Sequence, residues 1–239
     1  MRGFLGFTLL ALVGLGALVF FVLPAALQPM VVTSVRNALP FGDQPLQVNV
    51  TITGTGLVGG AIDVIQVRGT NLALTGAHTG VTIGKLDVTV RQVLIGDHSF
   101  KAVSGGLDDV TFALASGAPL TISRIDLTGA SDAVTGAAQF GATESIAFVT
   151  QLFADTGVNA TDVQLSDGTV AATVFDQHIE LPVGVEDGAL VVPDALGAGP
   201  ITLIEPGPDD QWRLTGASVT PGGIEIDAVM TAKALLAGG

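Results

Sequence analysis

The sequence predicts a β-dominated α+β fold in which a long, bent antiparallel sheet packs on one main amphipathic helix. Three observations lead to this prediction. Apolar and polar residues alternate in many short runs, turn-forming residues separate those runs, and one clear amphipathic segment occupies 143–155. The 32 glycines and the low charged fraction of 13% are typical of strands joined by tight turns, and not of a disordered chain.

The predicted helix spans 143–155. At 100° per residue its apolar side chains fall on one continuous arc, and Ser145 is the one polar residue that does not fall on the opposite side. The arc consists of Ile146, Phe148, Val149, Leu152 and Phe153. A helix with this pattern needs a sheet to cover its apolar side.

The predicted strands follow period-two alternation, which begins at Leu46. They are 46–52, 62–68, 71–75, 81–95, 107–115, 120–128, 162–166, 169–181, 189–192, 201–205, 211–219 and 224–231. Within 81–95 the apolar residues change parity, which predicts a β-bulge near Gly84. Asp167-Gly168 predicts a two-residue hairpin turn. Because no linker or charge run divides it, 40–236 is predicted to be a single β-rich domain.

The N-terminal segment 3–27 carries no charge. A bilayer span needs about 20 such residues, whereas the apolar part of a secretory signal has about 7–15. We therefore expect residues 1–28 to form a transmembrane anchor, with a cleaved signal peptide as the alternative, and 29–39 to form a short linking helix. Arg2 before the span predicts a cytoplasmic N-terminus and an extracytoplasmic domain at the cell membrane, or a secreted domain if the segment is cleaved.

Composition argues against several function classes. The net charge is −13, with 22 acidic against 9 basic residues, which argues against nucleic-acid binding. The same charge argues against attraction to anionic lipid. Cysteine is absent, so thiolate catalysis and disulfides are excluded.

The motifs that carry chemistry are weak. Residues 54–59 match G-x-G-x-x-G, but a run rich in β-branched residues follows instead of the helix that a dinucleotide site requires, which favours a turn. Asp176, His178 and Glu180 would share one face of a strand and have the chemistry of a metal site, but a solvated outer face, which needs no metal, is the favoured interpretation. No nucleophile, base and oxyanion hole assemble. We expect no enzyme, no catalytic residue, no metal and no cofactor.

Several blocks of the sequence resemble the LmeA-like phospholipid-binding family of bacterial envelope proteins. The similarity covers about 45–232 and rests on ordered apolar blocks and glycines. The blocks are VTITGTGLVGGAIDVIQVRGTNLAL from residue 50, LTGA from 127, FGATESIAFVTQLF, VQLSDGTVAATV, VEDGALVVP and GASVTPGGIEIDAVM. The resemblance implies a fold similar to tubular lipid-binding domains, with a curved sheet and a helix around an apolar groove. It also implies phospholipid as the partner, and it supplies no catalytic residues.

The leading hypothesis is thus a membrane-anchored extracytoplasmic protein that binds phospholipid or another acyl lipid in an apolar groove. Ile146, Phe148, Val149, Leu152 and Phe153 would form one wall of the groove. Val110, Phe112 and Leu114 would form another. The alternative is a structural β-rich cell-envelope protein without a small ligand, in which these side chains are ordinary core residues. The alternative predicts a filled core.

Overall fold

The fold is given by a computed structural model, which describes most of the chain after the predicted membrane span. The described residues are 28–52, 60–74, 80–94, 97, 99–113, 119–155, 157–192, 201–206 and 212–231. The span predicted within residues 1–28 lies almost wholly outside them. None of the helices in these ranges is long and apolar enough to cross a membrane.

The described chain forms two helices and fourteen strands, which confirms the prediction of a β-dominated fold with a long antiparallel sheet. The helices are α1 (Gln28–Ala38) and α2 (Ala142–Asp155). The strands before α2 are β1 (Leu46–Thr51), β2 (Ala61–Ala73), β3 (Thr82–Leu94), β4 (Ser99–Ala113), β5 (Pro119–Ala130) and β6 (Ala133–Gly141). Those after it are β7 (Ala160–Ser166), β8 (Thr169–Val174), β9 (Gln177–Pro182), β10 (Gly184–Glu186), β11 (Ala189–Val192), β12 (Ile201–Ile204), β13 (Trp212–Thr220) and β14 (Gly223–Met230).

The main sheet has eight strands in the order β1-β2-β3-β4-β5-β6-β14-β13, and every neighbouring pair is antiparallel. Strands β1 to β6 follow one another as a meander. After β6 the chain leaves the sheet, forms α2 and two separate three-stranded sheets, β7-β8-β9 and β10-β11-β12, and then returns through β13 so that β14 pairs with β6. We call the two three-stranded sheets the small sheets.

Four adjacent strands of the main sheet change the parity of their buried residues at the same place. Asn71, Gly84, Asp109 and Ser123 lie opposite one another across β2 to β5, and we call them the phase-slip row. In β3, for example, Ile83 and Leu86 are both buried although they lie on opposite parities. Asn71 and Asp109 have φ near +52°, and a Cβ on Gly84 would lie 2.8 Å from the Cβ of Asp109. Only glycine allows so close an approach.

The predicted bulge near Gly84 is therefore corrected. A bulge adds one residue to one strand only. Here the register between β3 and each of its neighbours is the same before and after Gly84. All four strands of the phase-slip row shift together, so the parity of the core residues changes without any change of pairing.

The core lies on one face of the main sheet and continues beneath α2 and the small sheets as a single connected cluster. The short helix α1 joins it through Val35, and Leu39, directly after the helix, also belongs to the core. The helix matches the predicted linking helix within one residue. The guanidinium of Arg36 donates a hydrogen bond to the carbonyl of Leu46 at 2.6 Å, which ties α1 to the edge strand β1.

The predicted strands differ from the observed ones in five places. The predicted strand 107–115 begins earlier, as β4 (Ser99–Ala113), and β10 was not predicted. The other three differences concern β2, β6 and the pair β8 and β9. The segments 62–68 and 71–75 form one strand, β2, and 133–141 forms strand β6, which alternation did not reveal because it is rich in glycine and alanine. The predicted strand 169–181 is two strands, β8 and β9, separated by a turn at Phe175-Asp176. The predicted turn at Asp167-Gly168 is confirmed by the pairing of Ser166 with Thr169.

Candidate functional site

Helix α2 is held against the main sheet by an aromatic pair. The rings of Phe140, at the end of β6, and Phe148, on α2, stack with centroids 5.1 Å apart and an interplanar angle of 11°. The helix begins at Ala142, directly after β6, and its apolar side meets β5, β6, β14 and β7. The predicted helix is thus confirmed, with a start one residue earlier.

Ser145 is the only buried polar side chain among the described residues, and it joins the helix to two strands. Its hydroxyl accepts a hydrogen bond from the backbone N–H of Ile224 at 2.9 Å and donates one to the carbonyl of Phe140 at 3.4 Å. This accounts for the one polar residue that does not lie opposite the apolar arc of α2. A buried polar group is tolerated when its hydrogen bonds are satisfied.

An apolar cavity lies between α2 and the small sheets. Its volume is about 20 Å³. Helix α2 supplies Phe148, Val149, Leu152 and Phe153. The small sheets and their connection supply Val170, Leu181, Val183, Leu190, Val192 and Leu203, and the main sheet supplies Ile224. We call this space the α2 cavity.

The chemistry of the α2 cavity follows from its lining. All eleven lining residues are aliphatic or aromatic, so no side chain there can hold a metal, bind a charged group or transfer a proton. A volume of this size is close to the minimum for one water molecule, which would also need two to four polar partners. The α2 cavity can accommodate only apolar groups, and in this conformation it is too small for an acyl chain.

The predicted groove residues divide into two groups. Half of them line the α2 cavity, namely Phe148, Val149, Leu152 and Phe153. Ile146 is half-buried and does not line it, and Val110 and Phe112 are buried on strand β4 of the main sheet without lining it. Leu114 lies outside the described residues. The structure therefore brings α2 together with the small sheets, and not with β4, around the cavity.

Sequence analysis missed the second wall of the cavity, which is built from β8, β9, β11 and β12. One signal was available, because Ala189–Val192 is a run of four apolar residues and all four are buried. A strand without alternation is usually covered on both faces. Leu181, at the end of β9, was visible as an apolar residue but offered no sign of its partner Val170.

The outer face of the main sheet carries a charged depression of about 490 Å³. Lys85 and Arg124 lie 3.6 and 3.8 Å from the carboxylate of Asp108, and Arg124 also pairs with Asp126 at 2.7 Å. The hydrogen bond and the charge of Asp126 raise the pKa of the Arg124 guanidinium. These side chains satisfy one another and are open to solvent, so the pairs are weak and mark no obvious ligand.

The other motifs singled out from the sequence do not form a binding site among the described residues. Asp176 lies in the turn between β8 and β9, and so does not share a strand face with His178 and Glu180 as predicted. No group of three potential metal ligands occurs among the residues that the structure describes. The glycine-rich segment 54–59 lies outside them.

Comparison with known protein families, with curated proteins and with solved structures finds no match to this chain. The resemblance to LmeA-like proteins stays a prediction from the sequence. Function must be inferred from the α2 cavity and its surroundings.

Proposed function

We propose that this protein binds the acyl chain of a phospholipid, or of another acyl lipid, between α2 and the small sheets. One observation carries the proposal. The α2 cavity has a wholly apolar lining that comes from separate structural units: one helix, two small sheets with their connection, and the main sheet. Cavities for apolar ligands favour such junctions between elements.

Binding requires the walls to separate, because the cavity holds only about 20 Å³. Helix α2 is fixed to the main sheet through Ser145 and the Phe140–Phe148 stack. The small sheets contact α2 through β7 and are hydrogen-bonded to β13. There Gly168 donates to the carbonyl of Val219 at 2.9 Å, and Leu214 donates to that of Gly188 at 3.0 Å. We infer that the small sheets move away from α2 to admit a ligand.

The energetics of this opening are favourable for a long apolar chain. Separating the walls exposes apolar side chains, and each methylene of a bound chain recovers about 0.8 kcal/mol when it leaves water. A chain long enough to cover the lining offsets the exposure, whereas a short or polar ligand does not. With a net charge of −13, affinity comes from the fit of the chain more than from attraction to a headgroup.

The uncharged segment 3–27 supplies the membrane part of the proposal. Its length suits a bilayer span, and the charge pattern around it favours an extracytoplasmic domain. We propose that residues 1–28 keep the lipid-binding domain at the cell membrane, and that lipid is bound without any catalytic step.

Native mass spectrometry of the full chain in detergent tests lipid binding after incubation with one phospholipid of defined acyl chains. A lipid adduct is expected for the natural sequence. Val149→Phe fills the cavity from α2 and should abolish the adduct, whereas Ala147→Phe, on the exposed side of the same helix, should keep it. Equal adducts in both variants would show that lipid adheres elsewhere, for example to the N-terminal segment.

The small volume of the cavity favours the second candidate, a structural β-rich envelope protein without a small ligand. That function requires a core that is already filled, and the α2 cavity is nearly so. The two candidates differ in the experiment above, because a structural protein shows no adduct that depends on Val149.

A further inference from the structure

The turn between β8 and β9 presents an apolar side chain to solvent. Val174 pairs with Gln177, so the turn consists of Phe175 and Asp176. The side chain of Phe175 is 82% exposed, and it is the only large apolar side chain so exposed among the described residues. A single exposed aromatic ring at the tip of a hairpin adds no buried apolar area to the core.

The backbone conformation at position 175 is also unusual for a phenylalanine. Phe175 and Asp176 have φ values of +51° and +63°, the left-handed conformation of a type I′ turn. Such turns prefer Asn-Gly, because both central residues take φ > 0, where the Cβ of most residues is crowded against the backbone. The left-handed conformation costs about 1–2 kcal/mol for a residue other than glycine. Local structure therefore disfavours a phenylalanine here, as exposure does.

We propose that Phe175 is a membrane contact, which inserts into the interface of a bilayer of zwitterionic phospholipid. Insertion removes the ring from water, and no other change in the protein is needed. The uncharged segment 3–27, which is long enough to span a bilayer, would keep the domain within reach of that surface.

The surroundings of Phe175 favour a lipid surface over a protein partner. A stable protein interface buries about 800 Å² on each side around a core with few charges. The residues beside Phe175 are polar and exposed: Asp176 and Gln177 follow it, and His178 and Glu180 lie on β9. One isolated ring suits a bilayer, which needs no matching pocket. The carboxylates of Asp176 and Glu180 oppose an anionic membrane, and this commits the proposal to zwitterionic lipid.

The hairpin connects this contact to the α2 cavity. Val170 and Leu181 pair across β8 and β9, and both line the cavity. They lie four pairs from Val174 and Gln177, which corresponds to about 13 Å along the strands. Phe175 would thus bring the hairpin that lines the cavity to the bilayer. That consequence rests on the proposed lipid binding, whereas the membrane contact itself does not.

The test uses tryptophan at position 175 as a depth probe. The full chain is reconstituted in phosphatidylcholine vesicles whose lipids carry bromine on their acyl chains, and bromine quenches tryptophan that enters the bilayer. Phe175→Trp should show a blue-shifted emission that the brominated lipid reduces. The matched control is Asp167→Trp, which places the probe in the exposed turn at the other end of β8. Trp212 is buried and contributes the same background to both.

Quenching of Phe175→Trp beyond that of Asp167→Trp supports the proposal, and equal quenching overturns it. Replacing part of the lipid with phosphatidylglycerol should reduce the difference, and an increase would refute the choice of zwitterionic lipid. A blue shift without quenching, growing with protein concentration, would identify a protein contact and overturn the membrane contact. Adding Val149→Phe should leave the quenching intact, so failure of lipid binding in the cavity and failure of membrane contact are distinguishable.

Discussion

The main sheet and the small sheets differ in the length of their strands and in how firmly each strand is held. Strands β2 to β5 have 13, 13, 15 and 12 residues, and their registers run without interruption. The strands of the small sheets have between 3 and 7 residues. The long ladders form a scaffold in which each core residue is fixed by two neighbouring strands. The short ones rest on α2 and β13, and we expect them to shift at a lower cost because fewer hydrogen bonds hold each strand.

The features that point to function lie with the short strands. The α2 cavity has walls from both small sheets, and Phe175 lies at a tip of one of them. The main sheet has a buried apolar face and an outer face of mutually paired charges. A binding region needs an element that moves, and a rigid scaffold needs the opposite, so the two tasks fall to different parts of the chain.

The largest expected difference in stability between the two regions comes from replacing a glycine in each with alanine. Gly105 lies in β4 at φ +137°, and a Cβ there would clash with the carbonyl oxygen of Asp87 and lie 2.7 Å from the Cα of Val88. Strain and overpacking, at about 1–3 kcal/mol each, predict that Gly105→Ala destabilises the protein by about 4 kcal/mol. Gly168, in the turn of a small sheet, has open space around it and φ +78°. Gly168→Ala should cost only about 1–2 kcal/mol.

Urea denaturation of the full chain, followed by circular dichroism, measures both glycine variants. If Gly168→Ala is as costly as Gly105→Ala, the small sheets are as tightly constrained as the main sheet.

Shortening core side chains should reveal a smaller difference of the same sign. Ile125 is fully buried in β5 between its partners Leu107 and Ala138. Leu152 is almost as buried but lines the α2 cavity. Large-to-alanine changes cost about 2–5 kcal/mol, less where the surroundings can collapse. We expect a loss of stability of about 4 kcal/mol for Ile125→Ala and of about 2–3 kcal/mol for Leu152→Ala. Denaturation midpoints that rank Leu152→Ala as the costlier change would contradict an adjustable cavity.

Ser145 tests the attachment of α2 to the main sheet. Ser145→Ala leaves the buried N–H of Ile224 without its acceptor, which should cost about 1–3 kcal/mol. The control Thr150→Ala, on the exposed side of the same helix, should stay within about 0.5 kcal/mol of the natural chain. Both are measured by denaturation, and hydrogen exchange of the Ile224 amide should accelerate in Ser145→Ala alone. Unchanged exchange would show that α2 is held by its apolar contacts only.

The charges on the outer face of the main sheet should contribute least to the stability of the protein. Arg124 pairs with Asp126 and Asp108, but its side chain is 54% exposed and water screens the attraction. The pKa of Arg124 is raised, so the stabilising effect would be lost only as the pH rises above the ordinary value of arginine. We expect Arg124→Gln to leave the urea midpoint unchanged at physiological salt, with a small decrease at low salt. A large decrease at both would make this face a structural element of the scaffold.

Alternation along the sequence was sufficient to predict the main sheet in outline. The clean pattern of Leu46, Val48 and Val50 in β1 has one buried face, as predicted. The pattern failed where side chains are small, as in β6, because glycine and alanine carry little hydrophobic signal. It also failed at Phe175-Asp176, because phenylalanine is not typical of a turn and Asp176 is followed by Gln177 instead of the glycine that usually completes the signal.

The candidate site was predictable only in part. Helical periodicity identified the wall that α2 supplies, since Phe148, Val149, Leu152 and Phe153 depend on local spacing alone. The opposite wall depends on how the small sheets pack, which is a long-range property. Val110 and Phe112 met every local criterion for the groove, yet they belong to the core of β4. Apolar strand residues look alike in sequence whichever neighbour they eventually contact.

The phase-slip row limits how the lengths of four strands can change in evolution. A residue inserted in or deleted from β3 alone at Gly84 would turn every core side chain beyond it towards solvent, while β2 and β4 kept theirs inside. Such a change survives only if Asn71, Asp109 and Ser123 shift with it. We therefore expect sequences that share this fold to vary in the segments between the strands, and to keep the same number of residues on each side of the row.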